Sequence, residues 1–169
     1  MCFGGTCQSS PDCFIGATPV LMADGSERAI EEIEVGDVVL GSNGQPNVVL
    51  DVLRLALGAR RLHALNDDNY FVTASHPLLT ADGWKSVAPR RTANKQRGAI
   101  TTTPLRVGDR LVVADASSSS SNVRTATALQ HVALTSLRSR AADPALRIYN
   151  LTVDGDQTYF ANGVVAHIK

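Results

Sequence analysis

The sequence predicts an all-β domain built from two related halves, and three features carry that expectation: a repeated phrase, segments rich in β-formers, and turn dipeptides between them. The phrase runs once from Thr18 to Gly41, as an apolar Pro19-Val20-Leu21 segment, an Ala23-Asp24-Gly25 turn, a polar return, and Val35-Gly36-Asp37 leading into Val38-Val39-Leu40. It recurs as Pro77-Leu78-Leu79, Ala81-Asp82-Gly83 and Val107-Gly108-Asp109 before Leu111-Val112-Val113. Gly25 to Gly36 spans 11 positions and Gly83 to Gly108 spans 25, so the second copy carries 14 extra residues, between Pro89 and Pro104. Two strand–turn–strand copies predict an internal pseudo-two-fold axis.

The remaining elements follow in order. Asn47 to Leu57 is rich in Val and Leu, Asn69 to Thr73 holds β-formers, and Arg147 to Val153 alternates Ile148, Asn150 and Thr152 against Tyr149, Leu151 and Val153. Thr158 to Ile168 predicts a hairpin turning at Asn162-Gly163, because a type I′ turn needs two residues that tolerate positive φ. Ala29 to Glu34 suits a helical turn, and Val123 to Arg138 suits either a strand or a short helix. The five-serine run Ser117 to Ser121 predicts a mobile surface loop.

Bulk properties bound the function. The chain has 169 residues, 44% of them hydrophobic, enough for one ordinary core. Lys plus Arg equals Asp plus Glu at 16 each, so no long-range field gathers nucleic acid or an anionic membrane, and the Arg60-Arg61 and Arg90-Arg91 pairs are expected to be solvated surface. No apolar run is long enough to span a bilayer, and the first residues lack a basic region followed by an apolar stretch. A soluble monomer is expected; its compartment stays open, a segment of a larger secreted, phage or bacterial protein being one setting that fits.

The three cysteines, Cys2, Cys7 and Cys13, all fall within the first 13 residues, a distribution unsuited to a disulfide framework. Their irregular spacing without a second pair argues against zinc, so no metal and no cofactor are expected. Cys13 opens the ordered pattern after a polar leader, residues 1–12, while residues 13–169 form the domain. A disulfide from Cys2 or Cys7 to Cys13 would mask that thiol. Thr73-Ala74-Ser75-His76 puts a hydroxyl and an imidazole together at a strand exit, and His167 brings another imidazole up on the last strand. Nucleophile and helpers far apart in sequence suit covalent catalysis.

From Cys13 onward the chain resembles a Hint (Hedgehog/intein) domain, most like the minimal bacterial intein-like members without an endonuclease. The resemblance rests on four ordered motifs: Cys13-Phe14-Ile15-Gly16-Ala17-Thr18-Pro19-Val20, Thr73-Ala74-Ser75-His76-Pro77, Tyr149-Asn150-Leu151-Thr152-Val153 and Tyr159-Phe160-Ala161-Asn162-Gly163. It implies an all-β horseshoe of two duplicated halves. It also implies chemistry at the Asp12–Cys13 bond: the Cys13 thiol attacks the Asp12 carbonyl and the peptide becomes a thioester, with His76 protonating the departing nitrogen and Thr73 bonding the scissile carbonyl or amide. The substrate is the chain's own flanking segment, and water or a small thiol or amine then takes the acyl group.

The chain departs from the family where splicing ends. His167 is followed by Ile168 in place of the cyclising Asn, and Gln157 stands where a His is common. N-terminal cleavage without full splicing is therefore expected, with Hedgehog-like acyl transfer to an outside nucleophile, or a degenerate non-catalytic module, as alternatives. The Asp12 carboxylate could itself attack the thioester through a cyclic anhydride. His63 and His131 have no motif context and are expected at the surface or in packing. Asp51, near the slot of a Hedgehog-type catalytic Asp, is expected as a polar residue on an edge strand, and Trp84 and Tyr70 as packing residues.

Overall fold

The computed structural model describes residues 2–3, 6–7, 12–66, 69–89, 102–114 and 129–167. Among them short strands account for nearly all the regular structure, and the expected helical turn is a single 3-10 turn, Ile30–Glu32. The strands in chain order begin with β1 (Cys2–Phe3) and β2 (Thr6–Cys7), which form a two-stranded ribbon. The first half of the domain holds β3 (Phe14–Ile15), β4 (Pro19–Leu21), β5 (Glu27–Ala29), β6 (Val38–Leu40) and β7 (Pro46–Ala56). Then come β8 (Leu62–Leu65), β9 (Val72–Thr73), β10 (Leu78–Thr80), β11 (Gly83–Ser86), β12 (Thr103–Pro104) and β13 (Arg110–Ala114). The last five are β14 (Leu129–Ala133), β15 (Leu137–Arg140), β16 (Arg147–Val153), β17 (Thr158–Ala161) and β18 (Val164–His167).

Two sheets result. One runs β15-β8-β9-β3-β16-β7-β6, and the other β12-β11-β10-β13-β18-β17-β4-β5, with β14 beside β13. The described part of the ambiguous Val123 to Arg138 stretch, from Leu129 on, forms strands, β14 against β13 and β15 against β8, while residues 123–128 lie outside the described residues. Ser117–Ser121 and most of the insertion after Pro89, including Arg90-Arg91, lie outside the described residues.

The duplication is visible in the hydrogen bonds. In the first copy the Gly36 amide donates to the Val49 carbonyl, the Val49 amide to the Asp37 carbonyl, and the Asp37 carboxylate accepts from the Glu34 amide. In the second, Gly108 donates to Leu134, Leu134 to Asp109, and the Asp109 carboxylate accepts from the Arg106 amide. Gly36 and Gly108 have φ of +97° and +104°, which is why each turn needs glycine. Even the ion pairs correspond: Arg28 on β5 meets Asp37 at 2.9 Å, and Lys85 on β11 meets Asp109 at 2.8 Å. The second pair is the better buried of the two.

The core lies between the sheets and draws on both halves, with Phe14, Val20, Ile30, Val39, Leu78, Leu111, Leu151 and Tyr159 in one cluster. The last hairpin closes it: β18 pairs with β10, β13 and β17, and β17 pairs with β4, so the C-terminal hairpin joins the two repeats. Its turn has φ of +53° at Asn162 and +83° at Gly163, the two positive values a type I′ turn requires.

Candidate active site

Cys13 sits one residue before β3, and β3 lies between β9 and β16 through the pairs Phe14–Val72 and Tyr149–Phe14. That register sets Thr73 beside Cys13. The Cys13 amide donates to Thr73 Oγ1 at 3.0 Å, and the Thr73 amide donates back to the Cys13 carbonyl at 3.0 Å. Sequence reasoning left open whether Thr73 meets the scissile carbonyl or the amide; it meets the amide. Both residues are buried, and Cys13 is in no disulfide among the described residues. Its side chain belongs to an apolar cluster with Leu57, Leu62 and Ile148.

Asp12, on the other side of the bond, is also buried, and its carboxylate accepts a 2.6 Å hydrogen bond from Ser75 Oγ. Thr73 and Ser75, two residues apart, thus hold the two residues that flank the Asp12–Cys13 bond. Ser75 was legible only as a spacer inside the Thr73–His76 motif; no pattern in the sequence marks it as the partner of Asp12.

His76 is buried at the end of the same turn, its amide donating to the Thr73 carbonyl. The imidazole lies over Phe14 with ring centroids 4.2 Å apart, and Nδ1 is 3.4 Å from the Pro77 carbonyl. The same carbonyl accepts from the His167 amide at 3.3 Å, so the second and last motifs converge on Pro77. His167 is buried, with Trp84 edge-on at 5.3 Å. Trp84 is a packing residue as expected, and its particular partner is an imidazole. Ile168 lies outside the described residues.

Behind the site, Tyr159 of β17 donates its hydroxyl to Asn150 Oδ1, which also accepts from the Leu151 amide. Burial pushes the Tyr159 hydroxyl well above its ordinary pKa; a hydrogen bond with the Leu151 backbone pulls the other way, and the charges of Cys13 and Asp12 add to the rise. Tyr159 therefore stays a neutral donor and orders Asn150.

The other singled-out residues separate cleanly. Asp51 is exposed on β7, opposite Thr152, on the stretch of that strand beyond its pairing with β6. His131 is exposed on β14, whereas His63 is buried on β8. Tyr70 carries the guanidinium groups of Arg138 and Arg140 over its ring. Arg60 is not the free surface charge its sequence suggested: it is partly buried, and its Nη1 donates to the Ala56 and Leu57 carbonyls. Gln157 is exposed with φ of +63°. No group of three or more His, Cys, Asp or Glu side chains is placed to hold a metal ion among the described residues, nor is any helix there long and apolar enough to cross a membrane.

A cavity of about 330 Å³ opens beside the site, with Arg60, Arg61, His63, Thr73 and Ser75 in its wall.

Known proteins share this fold. The family described as Hom_end-associated Hint matches residues 13–81, from Cys13 through the Thr73–His76 turn. A curated relative, the catalytic subunit of the V-type proton ATPase of Candida tropicalis, is 36% identical over 77 residues, 40% of this chain; the match spans 7% of that protein's length. The crystal structure of a DnaB intein from Synechocystis sp. PCC 6803 superposes with a TM-score of 0.65 at 16% identity, covering 94% of this chain and 99% of that one. A bacterial intein-like domain from Clostridium thermocellum gives a TM-score of 0.64 at 25% identity over the same shares. With its duplicated all-β halves and its opening motif seated against the Thr73–His76 turn, the chain has the Hint fold of inteins and intein-like domains, and residues 13–81 match the Hom_end-associated Hint family.

Proposed function

We propose that this domain cleaves its own backbone by an N-to-S acyl shift at Asp12–Cys13, with residues 1–12 as the leader released and residues 13–169 as the domain that releases it. The observation that carries the reading is the 3.0 Å hydrogen bond from the Cys13 amide to Thr73 Oγ1. In the shift the Cys13 sulfur bonds to the Asp12 carbonyl carbon and the carbon–nitrogen bond breaks. The thiol loses a proton and the nitrogen gains one, so the step is an isomerisation that needs no co-reactant. A neutral amide donates weakly to Thr73; the amine or ammonium that replaces it donates more strongly, through a charge-assisted bond. Thr73 therefore stabilises the departing group more than the starting peptide, which is what lowers a barrier.

His76 is the proton carrier in this scheme, since imidazole gains and loses a proton near neutral pH and the turn at Thr73 orients its backbone. The apolar surroundings of Cys13, with Leu57, Leu62 and Ile148, keep water from the new thioester. Release then depends on an acceptor: water, a small thiol or an amine. Asp12 adds an internal route, its carboxylate closing a five-membered anhydride on its own acyl carbon and expelling the Cys13 thiolate. His167 packs at Pro77, but Ile168 has no amide to cyclise, so C-terminal cleavage and splicing are absent.

The test is a reporter fused before Met1 and followed by mass spectrometry with and without a thiol or hydroxylamine. Thiol-accelerated release from the parent, absent in Cys13→Ala, supports the shift. Release that persists in Cys13→Ala would refute it. An intact fusion in both proteins favours the degenerate module, the reading that Gln157 and Ile168 support. A leader made heavier by an added sterol points to Hedgehog-like transfer.

A further inference from the structure

We infer that the cavity beside the scissile bond is the binding site of the acyl acceptor, and that it selects a small acceptor bearing a negative charge. The inference rests on the thioester reading above and goes beyond it by naming where the acceptor sits and what chemistry it carries.

The cavity shares its wall with the site itself. Thr73 and Ser75 line it, and these same residues hold the Cys13 amide and the Asp12 carboxylate. An acceptor seated there is separated from the Asp12–Cys13 bond by the Thr73 and Ser75 residues that hold its two sides. At about 330 Å³ the space suits a molecule of a few heavy atoms rather than a folded partner.

Besides the alanines Ala59, Ala74 and Ala88, the rest of the wall is cationic or titratable. Arg60 and Arg61 contribute two guanidinium groups and His63 an imidazole, and no aspartate or glutamate among the described residues lines the space. Arg60 is held in place, with Nη1 donating to the Ala56 and Leu57 carbonyls at 3.2 and 2.8 Å. Its Nε is buried and has no hydrogen-bond partner among the described residues. A buried guanidinium donor without an acceptor is costly, and an anion in the cavity supplies that acceptor. Arg61 is exposed, with Nε 3.4 Å from Ser139 Oγ, and adds charge at the same wall. The acid at the site, Asp12, is engaged by Ser75.

His63 completes the chemistry. It is buried on β8, beside Val72 in the β9 register, and faces the cavity together with Thr73. When a thiol enters, its sulfur bonds to the Asp12 carbonyl carbon and the bond from that carbon to Cys13 Sγ breaks. The thiol's proton passes to His63 and then to the Cys13 thiolate, so the products are the leader as a new thioester and Cys13 as a free thiol.

The experiment compares three thiols on the leader–reporter fusion, at equal thiolate concentration: anionic 2-mercaptoethanesulfonate, neutral 2-mercaptoethanol and cationic cysteamine. The sulfonate is expected to reach half-maximal release at a concentration about tenfold lower than the neutral thiol, with cysteamine weakest. Arg61→Gln, an exposed substitution that leaves the Arg60 turn intact, reduces the preference, and Arg60→Gln with Arg61→Gln abolishes it. Equal half-maximal concentrations for the three thiols, or a preference that survives in the double variant, would overturn the inference. Binding is read separately with ethanesulfonate, which cannot react, by its shift of the His63 imidazole NMR signals in Cys13→Ala. Ethanesulfonate binding without thioester chemistry in the parent defeats the self-cleavage reading and keeps the anion site. Thiol release without an anion preference and without ethanesulfonate binding does the reverse.

Discussion

Thr73 holds Cys13 from two directions, accepting from its amide through Oγ1 and donating to its carbonyl through the backbone. Only the first contact depends on the side chain. Thr73→Val keeps the shape and the β-branch while removing the acceptor, so it should slow thiol-dependent release by about 10²-fold and lower stability by only about 1 kcal/mol. Cleavage time courses and urea unfolding of the same protein separate the two effects. Asp12→Gly removes the internal carboxylate, together with the buried hydrogen bond from Ser75. It should slow thiol-free hydrolysis while thiol-induced release continues; unchanged hydrolysis would eliminate the anhydride route.

Turns and their carboxylates set stability at the scale of the element. Gly163 has φ of +83° with open space where a Cβ would go, so Gly163→Ala carries a conformational cost alone, about 1 kcal/mol. Gly155 has φ of +67°, and a Cβ there would run into Asn47 Oδ1. Asn47 cannot give way freely, because it donates to Asp156 and to the Thr158 carbonyl. Gly155→Ala should therefore lower the melting temperature more than Gly163→Ala. Burial raises the Asp156 carboxyl, but hydrogen bonds from Asn47, Thr158 and Ser42 outweigh it and hold the group below its ordinary 3.8. A carboxyl depressed by folding adds stability above its unfolded pKa, and that stability is lost as pH falls through the folded value. Asp156→Asn should thus be less stable than the parent near pH 7, with the difference narrowing as pH falls below 3.8, measured by urea midpoints across that range.

Across the whole molecule, the two repeats are joined by strands that belong to neither. β18 bridges β10, β13 and β17, β17 pairs with β4, and β3 is enclosed between β9 and β16. Residues 13–15 consequently depend on pairings from the middle and the end of the chain. Amides of Phe14, Ile15 and Thr73 should exchange with solvent only through global unfolding, as slowly as any in the protein, while those of exposed β14 exchange earlier. Hydrogen exchange followed by mass spectrometry checks this order. The long-range pairing of sequence-distant strands also predicts folding on the millisecond-to-second scale of β-rich domains, which stopped-flow fluorescence of Trp84 would report.

The repeat, the turn glycines and the strand periods were readable from the chain because each depends on neighbouring residues. Val-Gly-Asp at 35–37 and 107–109 encodes a turn through one positive φ and one carboxylate, and Asn162-Gly163 encodes another through two positive φ values. The ambiguity before Arg138 was not resolvable in that way, since β14 and β15 are strands because β13 and β8 lie beside them. The site divides along the same line. Cys13, Thr73 and His76 stood out through motif order, but the choice of amide over carbonyl, the hold of Ser75 on Asp12, and the entry of Arg60 and His63 into one cavity arise from pairing between β3, β8 and β9. Local conformational preference is written residue by residue, whereas which side chains meet across a sheet is decided by register, and register is set when the whole core is buried at once.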